Sequence, residues 1–166
     1  MEDFGSAPLR SLLDVFSDAV QATHADSGDA TIVVDAARIV EVLRFLRDTP
    51  GLDFDMLMDL TAVDYAGHPD RDGLRFEVVY HLLSSQHMHR VRVKAGVPEM
   101  PCQIDSCVAV WPAANWMERE VFDLYGVRFR NHPDLRRILL YEEFEGHPLR
   151  KDYPKERRQP LVGPRN

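Results

Sequence analysis

The charged and aromatic run from Trp116 to Gly126 has the clearest capacity for chemistry in the sequence. On a helix, Glu120 and Asp123 lie three residues apart on one face, and Arg119 precedes Asp123 by four residues. Two carboxylates at that spacing could ligate a metal ion or act as an acid–base pair. The run contains no Glu-x-x-His or His-x-x-x-His pair to supply further ligands. Ion pairing at a partly buried boundary, with the guanidinium group of Arg119 as the bidentate partner, is therefore the stronger prediction.

Other residues of the same region suggest a catalytic alternative. A metal-dependent hydrolase is the second hypothesis, and its site would consist of Glu118, Glu120, Asp123 and His132. No Ser, Thr or Cys nucleophile adjoins His132 in the sequence, so a capping or core role is the more common explanation for it. Gly126 is predicted to end the helix in the left-handed conformation.

Histidines and cysteines elsewhere form weaker candidate sites. His87 and His89 are predicted on one side of a strand, with His81 across a hairpin, which is a spacing that metal ligands use. Exposed strand histidines are nevertheless the more common explanation. Cys102 and Cys107 are too few for a disulfide scaffold or a four-thiolate zinc or iron–sulfur site, and we expect two reduced thiols.

The overall composition excludes several function classes. The chain has 166 residues and a net charge of −7, which favours one domain and argues against a general nucleic-acid binder. No Gly-x-Gly fingerprint or Gly-Lys-Ser/Thr loop is present, so neither standard nucleotide-binding device is available. The acidic start at Met1-Glu2-Asp3 and the lack of an apolar run of about 18 residues predict a cytosolic chain without a secretory signal or membrane span.

The charge is unevenly distributed along the chain. Residues 150–166 carry six basic and two acidic side chains, a local net charge of +4, so the first 149 residues are strongly acidic. We therefore predict an α+β body over residues 1–149 and a basic, proline-containing extension over residues 150–166. Such an extension is suited to docking on an acidic protein surface.

The candidate residues need a scaffold, and hydrophobic periodicity predicts one. Helices are predicted over residues 8–20, after Asp35 to residue 48, and over residues 106–112 and 113–125. Strands are predicted over residues 31–34, 54–63, 74–83 and 88–94, the last two as an antiparallel hairpin. The fold class is α+β, a single domain in which helices pack on a mainly antiparallel sheet, followed by an extended C-terminal arm.

Two details of this prediction can be checked directly. Alternation along residues 54–63 places one set on the buried face: Phe54, Met56, Met58, Leu60 and Ala62. Pro133 is predicted in the first turn of a helix, with His132 or Asn131 as its cap. The prolines beyond residue 133 exclude a continuous helix or central strand there.

Two segments resemble a known family. Residues 116–139 read WMEREVFDLYGVRFRNHPDLRRIL, and residues 144–154 read FEGHPLRKDYP. Both are similar to the hallmarks of the C subunit of NADH–quinone oxidoreductase, the counterpart of the 30-kilodalton subunit of mitochondrial complex I. About 40 nearly contiguous residues carry the resemblance.

The resemblance implies a cofactor-free structural subunit in the peripheral arm of a proton-translocating NADH:quinone oxidoreductase. Such a subunit packs against the D subunit, which helps form the quinone site, while other subunits carry FMN and the iron–sulfur clusters. The isolated chain would then have no activity, no nucleic-acid partner, and membrane contact only through the complex, on the cytoplasmic side of the bacterial inner membrane. The alternative is the equivalent subunit of a membrane-bound hydrogenase or of a ferredoxin- or plastoquinone-type complex.

The resemblance assigns no catalytic, cofactor-binding or metal-binding residue to this chain. Its motif residues become candidates for the interface with other subunits. They are Trp116, Glu118, Arg119, Glu120, Asp123, Gly126, His132, Pro133, Asp134, Arg136, Arg137, Gly146, His147, Pro148, Arg150, Lys151 and Asp152.

Overall fold

The structure is a computed structural model that describes residues 6–25, 28, 30–69 and 73–160. The predictions for Met1–Asp3 and for the last six residues of the extension lie outside these ranges. The helices within them are α1 (Ser6–Phe16), α2 (Ile39–Asp48) and α3 (Ala114–Tyr125). The strands are β1 (Val20–His24), β2 (Ala30–Val34), β3 (Met56–Asp64), β4 (Phe76–Ser84), β5 (His89–Val97), β6 (Gln103–Asp105) and β7 (Arg128–Arg130).

A five-stranded sheet forms the centre of the domain, with strand order β1-β2-β5-β4-β3. Only the β2–β5 pairing is parallel in this sheet, so the predicted α+β class and mainly antiparallel sheet are confirmed. Its buried face is apolar along β5, where Val91, Val93, Ala95 and Val97 alternate with more exposed residues. Strands β6 and β7 pair in parallel as a separate small sheet.

Helix α2 forms as the sequence predicts. Asp35 caps a short 3₁₀ turn that precedes it, because its carboxylate accepts a hydrogen bond from the backbone N–H of Ala37 at 2.9 Å. The helix ends where the Thr49 N–H bonds to the Phe45 carbonyl. Its buried face holds Ile39, Val42, Leu43 and Leu46.

Two stretches that were predicted to be helical, residues 17–20 and 106–112, are not helical. The first predicted helix forms but ends at Phe16, and Val20–His24 is an edge strand whose middle residues are exposed. An edge strand that gains its stability from main-chain pairing to β2 shows no apolar alternation, so the sequence gives no signal for it. Residues 106–112 form turns, in which the N–H groups of Val110 and Trp111 both bond to the Cys107 carbonyl.

The predicted buried face of residues 54–63 is correct at three of its five positions. Phe54, Leu60 and Ala62 are buried, but Met56 and Met58 are exposed and Leu57 is buried. The pairing register with β4 shifts between residues 57 and 59. An extra residue in one strand reverses the alternation of the strand residues that precede it, so Leu57 and not Met56 faces the core.

The C-terminal segment after β7 contains no helix or strand within residues 131–160. Pro133 therefore lies in a turn and not in the predicted helical turn. The segment is held partly by its own aromatic contacts, since the rings of Phe144 and Tyr153 stack with centroids 6.1 Å apart. The absence of a continuous helix or central strand, which the prolines predict, is confirmed for residues 131–160, and the extended arm over residues 150–166 stays a prediction.

Helix α1 offers a matched test of this packing. Leu12 is fully buried, whereas the adjacent Leu13 is 42% exposed. We expect Leu12→Ala to lower the free energy of unfolding by about 2–5 kcal/mol because it leaves a cavity in the core. Leu13→Ala should change it by less than about 1 kcal/mol. Urea unfolding followed by circular dichroism measures both, and equal losses would contradict this placement of α1.

Candidate functional site

The buried face of α3 carries charge. Glu118 and Asp123 are fully buried and Arg119 is nearly so, while Glu120 is exposed to solvent. Glu120 and Asp123 therefore do not form the shared carboxylate pair that their spacing allowed. Burying carboxylates on a helix demands donors from elsewhere in the chain, since an unpaired buried charge is strongly destabilising.

Asp123 gathers four donors from one loop. Its Oδ2 atom accepts the backbone N–H groups of Ile138, Leu139 and Leu140 at 3.0, 2.9 and 2.9 Å. Its Oδ1 atom accepts from Arg137 at 2.6 Å, so Arg137, and not the predicted Arg119, is its ionic partner. Burial by itself raises the pKa of Asp123, but these hydrogen bonds outweigh it and hold that pKa below its ordinary value.

Arg119 binds the same loop through the main chain. Its Nε and Nη2 atoms donate to the carbonyl oxygens of Arg136 and Arg137 at 3.1 and 3.0 Å. The guanidinium also lies over the Trp116 ring, 5.4 Å from its centroid. Arg119 therefore fixes the carbonyl groups of residues 136 and 137, and Asp123 fixes the N–H groups of residues 138–140.

Glu118 and His132 hold the segments that flank α3. The Oε1 atom of Glu118 accepts the backbone N–H of Cys107 at 2.7 Å. Burial raises the pKa of Glu118 and that of the Cys107 thiol above their ordinary values. His132 accepts at Nδ1 from the Asp134 N–H and donates from Nε2 to the Asn115 carbonyl, at 3.0 and 3.1 Å, which defines its tautomer as Nε2–H.

The end of α3 is capped by the C-terminal segment. A helix leaves its last four carbonyl oxygens without partners inside the helix, and here those of residues 122–125 all accept hydrogen bonds from beyond it. The donors are the Gly126 N–H (2.9 Å), His147 Nδ1 (2.9 Å), the Leu149 N–H (3.1 Å) and Arg150 Nε (2.5 Å). The positive charge of Arg150 also suits the negative end of the helix dipole.

Gly126 is required at this cap for two reasons. It adopts the left-handed conformation with φ at 76°, as predicted. A Cβ atom there would also lie 2.6 Å from both His147 Nε2 and Arg150 Nη2. The close approach of the C-terminal segment thus depends on the missing side chain.

The C-terminal segment is anchored to the rest of the domain at two places. The first anchor is the cap of α3, and the second, which the sequence did not predict, lies at the end of β3. The Asp64 carboxylate accepts two hydrogen bonds from Arg75, at 3.1 and 3.0 Å, and one from the Lys151 N–H at 2.8 Å. Arg75 also donates to Asp152 at 2.6 Å. Asp64 follows Leu60 and Ala62 at two-residue intervals along β3 and therefore lies on the same buried face. This alternation is the sequence signal that could have predicted a buried Asp64.

The second anchor attaches the start of the predicted extension, residues 150–166, to the domain. Arg150, Lys151 and Asp152 all contact the domain that precedes them. Although burial favours the protonated form, Arg75 and the Lys151 and Ala66 N–H groups lower the pKa of Asp64 below its ordinary value. The boundary at residue 150 stays a prediction.

The structure divides the motif residues into two groups. The internal group holds α3, its loops and the C-terminal segment together, and comprises Glu118, Arg119, Asp123, Gly126, His132, Arg137, His147, Arg150, Lys151 and Asp152. The others are exposed or, for Pro148, partly buried, although the Arg136 and Gly146 carbonyls also accept hydrogen bonds within the chain: Trp116, Glu120, Pro133, Asp134, Arg136, Gly146 and Pro148. Their interface roles stay predictions.

The hydrolase site does not assemble. Glu120 faces solvent, and both carboxylate oxygens of Asp123 already accept hydrogen bonds from residues 137–140. Of the four residues only Glu118 and His132 lie close together, with Oε2 and Nε2 4.0 Å apart. Within the described residues, no three His, Cys, Asp or Glu side chains are grouped so that they could hold a metal ion.

The histidines near β5 also have protein partners. His87, in the turn before β5, bonds to the Asp53 carboxylate at 2.9 Å, and His89 bonds to the Leu52 carbonyl at 3.4 Å. Their rings stack with centroids 5.4 Å apart. In the described part of the chain, no helix is long and apolar enough to cross a membrane.

Comparison with known proteins identifies the family. The family model of the respiratory-chain NADH dehydrogenase 30-kilodalton subunit matches residues 32–159. The chain belongs to this family. The two motifs therefore predicted it correctly, and the 30-kilodalton-subunit match includes α3, both anchors and most of the C-terminal segment.

Curated relatives of this 30-kilodalton-subunit family agree. The C subunit of the NADH-quinone oxidoreductase of Geobacter metallireducens is 49% identical over 154 residues, covering 92% of each chain. The corresponding C subunit of Trichlorobacter lovleyi is 48% identical over 157 residues, covering 93% of this chain and 94% of its own.

Solved structures of similar fold include a trypsin-resistant fragment of Nqo5, which is 30% identical with a TM-score of 0.66. The match covers 76% of this chain and 98% of that fragment. A chain of the membrane-bound sulfane sulfur reductase, an archaeal respiratory membrane complex, has a TM-score of 0.73 at 24% identity, covering 89% of this chain and 84% of its own. At that identity the second likeness concerns the fold alone.

The cap of α3 yields a prediction for Gly126→Ala. The substitution forces a left-handed alanine, which costs about 1–2 kcal/mol, and displaces His147 and Arg150, which costs about 1–3 kcal/mol more. Gly51→Ala is the control, because Gly51 has φ of 88° but no neighbour within 4 Å of its added Cβ. Urea unfolding should show the larger loss for Gly126→Ala, and equal losses would contradict the close packing at the cap.

Asp123 yields a pH-dependent prediction. Because its folded pKa lies below the unfolded value of about 3.9, the carboxylate stabilises the fold above that pH, and this contribution is lost as the pH falls further. Asp123→Asn should therefore cost about 3 kcal/mol at pH 7 and progressively less towards pH 3.

Unfolding free energies of the wild type and the Asp123→Asn variant, measured across that pH range, test the expectation. The exposed Asp14→Asn on α1 is the control and should follow the wild type. A constant difference between wild type and Asp123→Asn at every pH would contradict the assignment.

Proposed function

We propose that this chain is a cofactor-free architectural subunit in the peripheral arm of a proton-translocating NADH–quinone oxidoreductase. One observation carries the proposal: within this family member, most motif residues hold α3, its loop and the C-terminal segment in one arrangement. A reacting group needs at least one accessible atom, whereas Asp123 and Asp64 are buried and fully engaged. The geometry of these residues supports a role in positioning neighbouring subunits.

We further propose that the chain packs against the D subunit, on the cytoplasmic side of the bacterial inner membrane, and that it contacts the membrane only through the complex. The names of the curated relatives support membership of such a complex. Nucleic acid is not among the proposed partners, because the chain has a net charge of −7.

An alternative parent is a membrane-bound hydrogenase or a ferredoxin- or plastoquinone-type complex. A chain of the archaeal sulfane sulfur reductase complex shows that the fold also occurs in another respiratory membrane complex. Relatives that are 45–50% identical and are named as C subunits of NADH-quinone oxidoreductases favour the NADH-linked complex instead.

Gene deletion tests the proposed function. In the organism that encodes the chain, we expect deletion to abolish the NADH:quinone reductase activity of washed membranes, because the peripheral arm would lack a structural member. Re-expression should restore both the activity and the intact complex on a native gel. Unchanged activity and complex mobility after deletion would overturn the proposal.

The finer claims need the purified chain. Co-expression with a homologue of the D subunit should give a stable binary complex, and the isolated chain should contain no stoichiometric metal and oxidise no NADH. Hydrolytic turnover with bound metal, or failure of the two chains to associate, would count against the architectural role.

A further inference from the structure

Two large apolar side chains of the motif region point into solvent from firmly held backbone. Trp116 is 64% exposed and Leu139 is 61% exposed. The backbone N–H of Leu139 is one of the three bound by Asp123, and the Trp116 ring is backed by the Arg119 guanidinium. Exposed apolar groups on ordered backbone are a common feature of protein–protein interfaces, since their ordering is complete before binding.

An arginine-lined cleft adjoins these side chains through Arg119, which backs Trp116 and binds the carbonyls of residues 136 and 137. The cleft, of about 320 Å³, is lined by Arg119, Arg136, Arg137, Leu140, Tyr141 and Glu142. Arg137 is paired with the buried Asp123, so Arg119 and Arg136 face a single carboxylate of the lining, that of Glu142. The partners of Arg119 are neutral carbonyls, so its charge is not compensated by them. Arg136 pairs only weakly, because its ion pair with Asp134 is exposed on both sides.

We infer that Trp116, Arg136 and Leu139, with Arg119 packed beneath Trp116, form a docking face for a neighbouring subunit of the same complex. The inference rests on the proposed function and specifies its contact surface. The partner surface that fits is an apolar depression bordered by Asp or Glu side chains, which would take the indole and the leucine and pair with Arg136. Tryptophan and arginine are the residue types that most often dominate binding energy at such interfaces.

Charge also decides between this partner and a second copy of the chain. A symmetric dimer through the docking face would bring the same guanidinium groups together across its axis. Like charges at an interface oppose association, so an acidic surface on a different chain is the better match.

The intact complex tests the docking face by hydroxyl-radical footprinting. We expect labelling of Trp116 and Leu139 to fall about tenfold in the complex relative to the isolated chain, since the partner would exclude water from them. Met88, which is 76% exposed on the β4–β5 turn, serves as the internal comparison and should label equally in both. Equal labelling of Trp116 in both states would overturn the inference while leaving the proposed function intact.

Variants provide the second arm of the test. Arg136→Glu should lower the yield of assembled complex about tenfold by placing like charges against the acidic partner. Arg44→Glu is the matched control, an exposed charge reversal on α2, and should assemble normally. Thermal unfolding of both isolated variants should match the wild type, and normal yield with Arg136→Glu would overturn the charge assignment.

Photo-crosslinking identifies the occupant. A benzophenone amino acid at position 116 should crosslink, in the purified complex, to an Asp- or Glu-rich segment of a different subunit. A crosslink to a second copy of this chain would overturn the inference. Absence of the chain from the purified complex would overturn the proposed function and this inference together.

Discussion

The carboxyl end of α3 is the constraint on which the C-terminal third of the molecule depends. The helix brings four carbonyl oxygens and the buried Asp123 carboxylate to one place, and each needs donors once water is excluded. Gly126 and residues 137–150 supply those donors from loops, not from a helix or a strand. Hydrogen-bond demand at α3 therefore dictates the path of a segment that has no regular secondary structure of its own.

Asp64 extends the same principle to the sheet. Like Asp123, it is a buried carboxylate that combines one arginine with backbone N–H groups, and its Lys151 donor is 87 residues away in sequence. The two carboxylates thus attach one C-terminal segment to the helix and to the sheet. Phe76 lies between these anchors, with the guanidinium groups of Arg75 and Arg150 5.0 and 5.1 Å from its ring centroid. An apolar replacement of either carboxylate would leave the arginine and the N–H groups without a common acceptor.

This design explains what the sequence could and could not predict. The sheet core, α2 and the Gly126 stop follow from local periodicity and local backbone preference, and they were predicted correctly. The partner of Asp123 was mistaken because spacing along a helix favours Arg119, whereas the true partner, Arg137, comes from a loop that spacing cannot place. The bulge in β3 and the edge strand β1 depend on register and main-chain pairing, which side-chain patterns do not encode. The motif resemblance predicted the family, but it could not distinguish residues that hold the chain together from residues that face outward.

Internal contacts and the proposed docking face are thermodynamically linked. Arg119 and Asp123 fix residues 136–140, and the same backbone displays Leu139 beside the cleft. A partner that binds only the ordered arrangement must stabilise these contacts, and weakening them must reduce its affinity by the same factor. Assembly defects alone therefore cannot assign a motif residue to an interface, since loss of Asp123 and loss of Trp116 would both impair assembly. The stability of the isolated chain separates the two cases, because the first change removes hydrogen bonds within the chain and the second removes a side chain that is mostly in solvent.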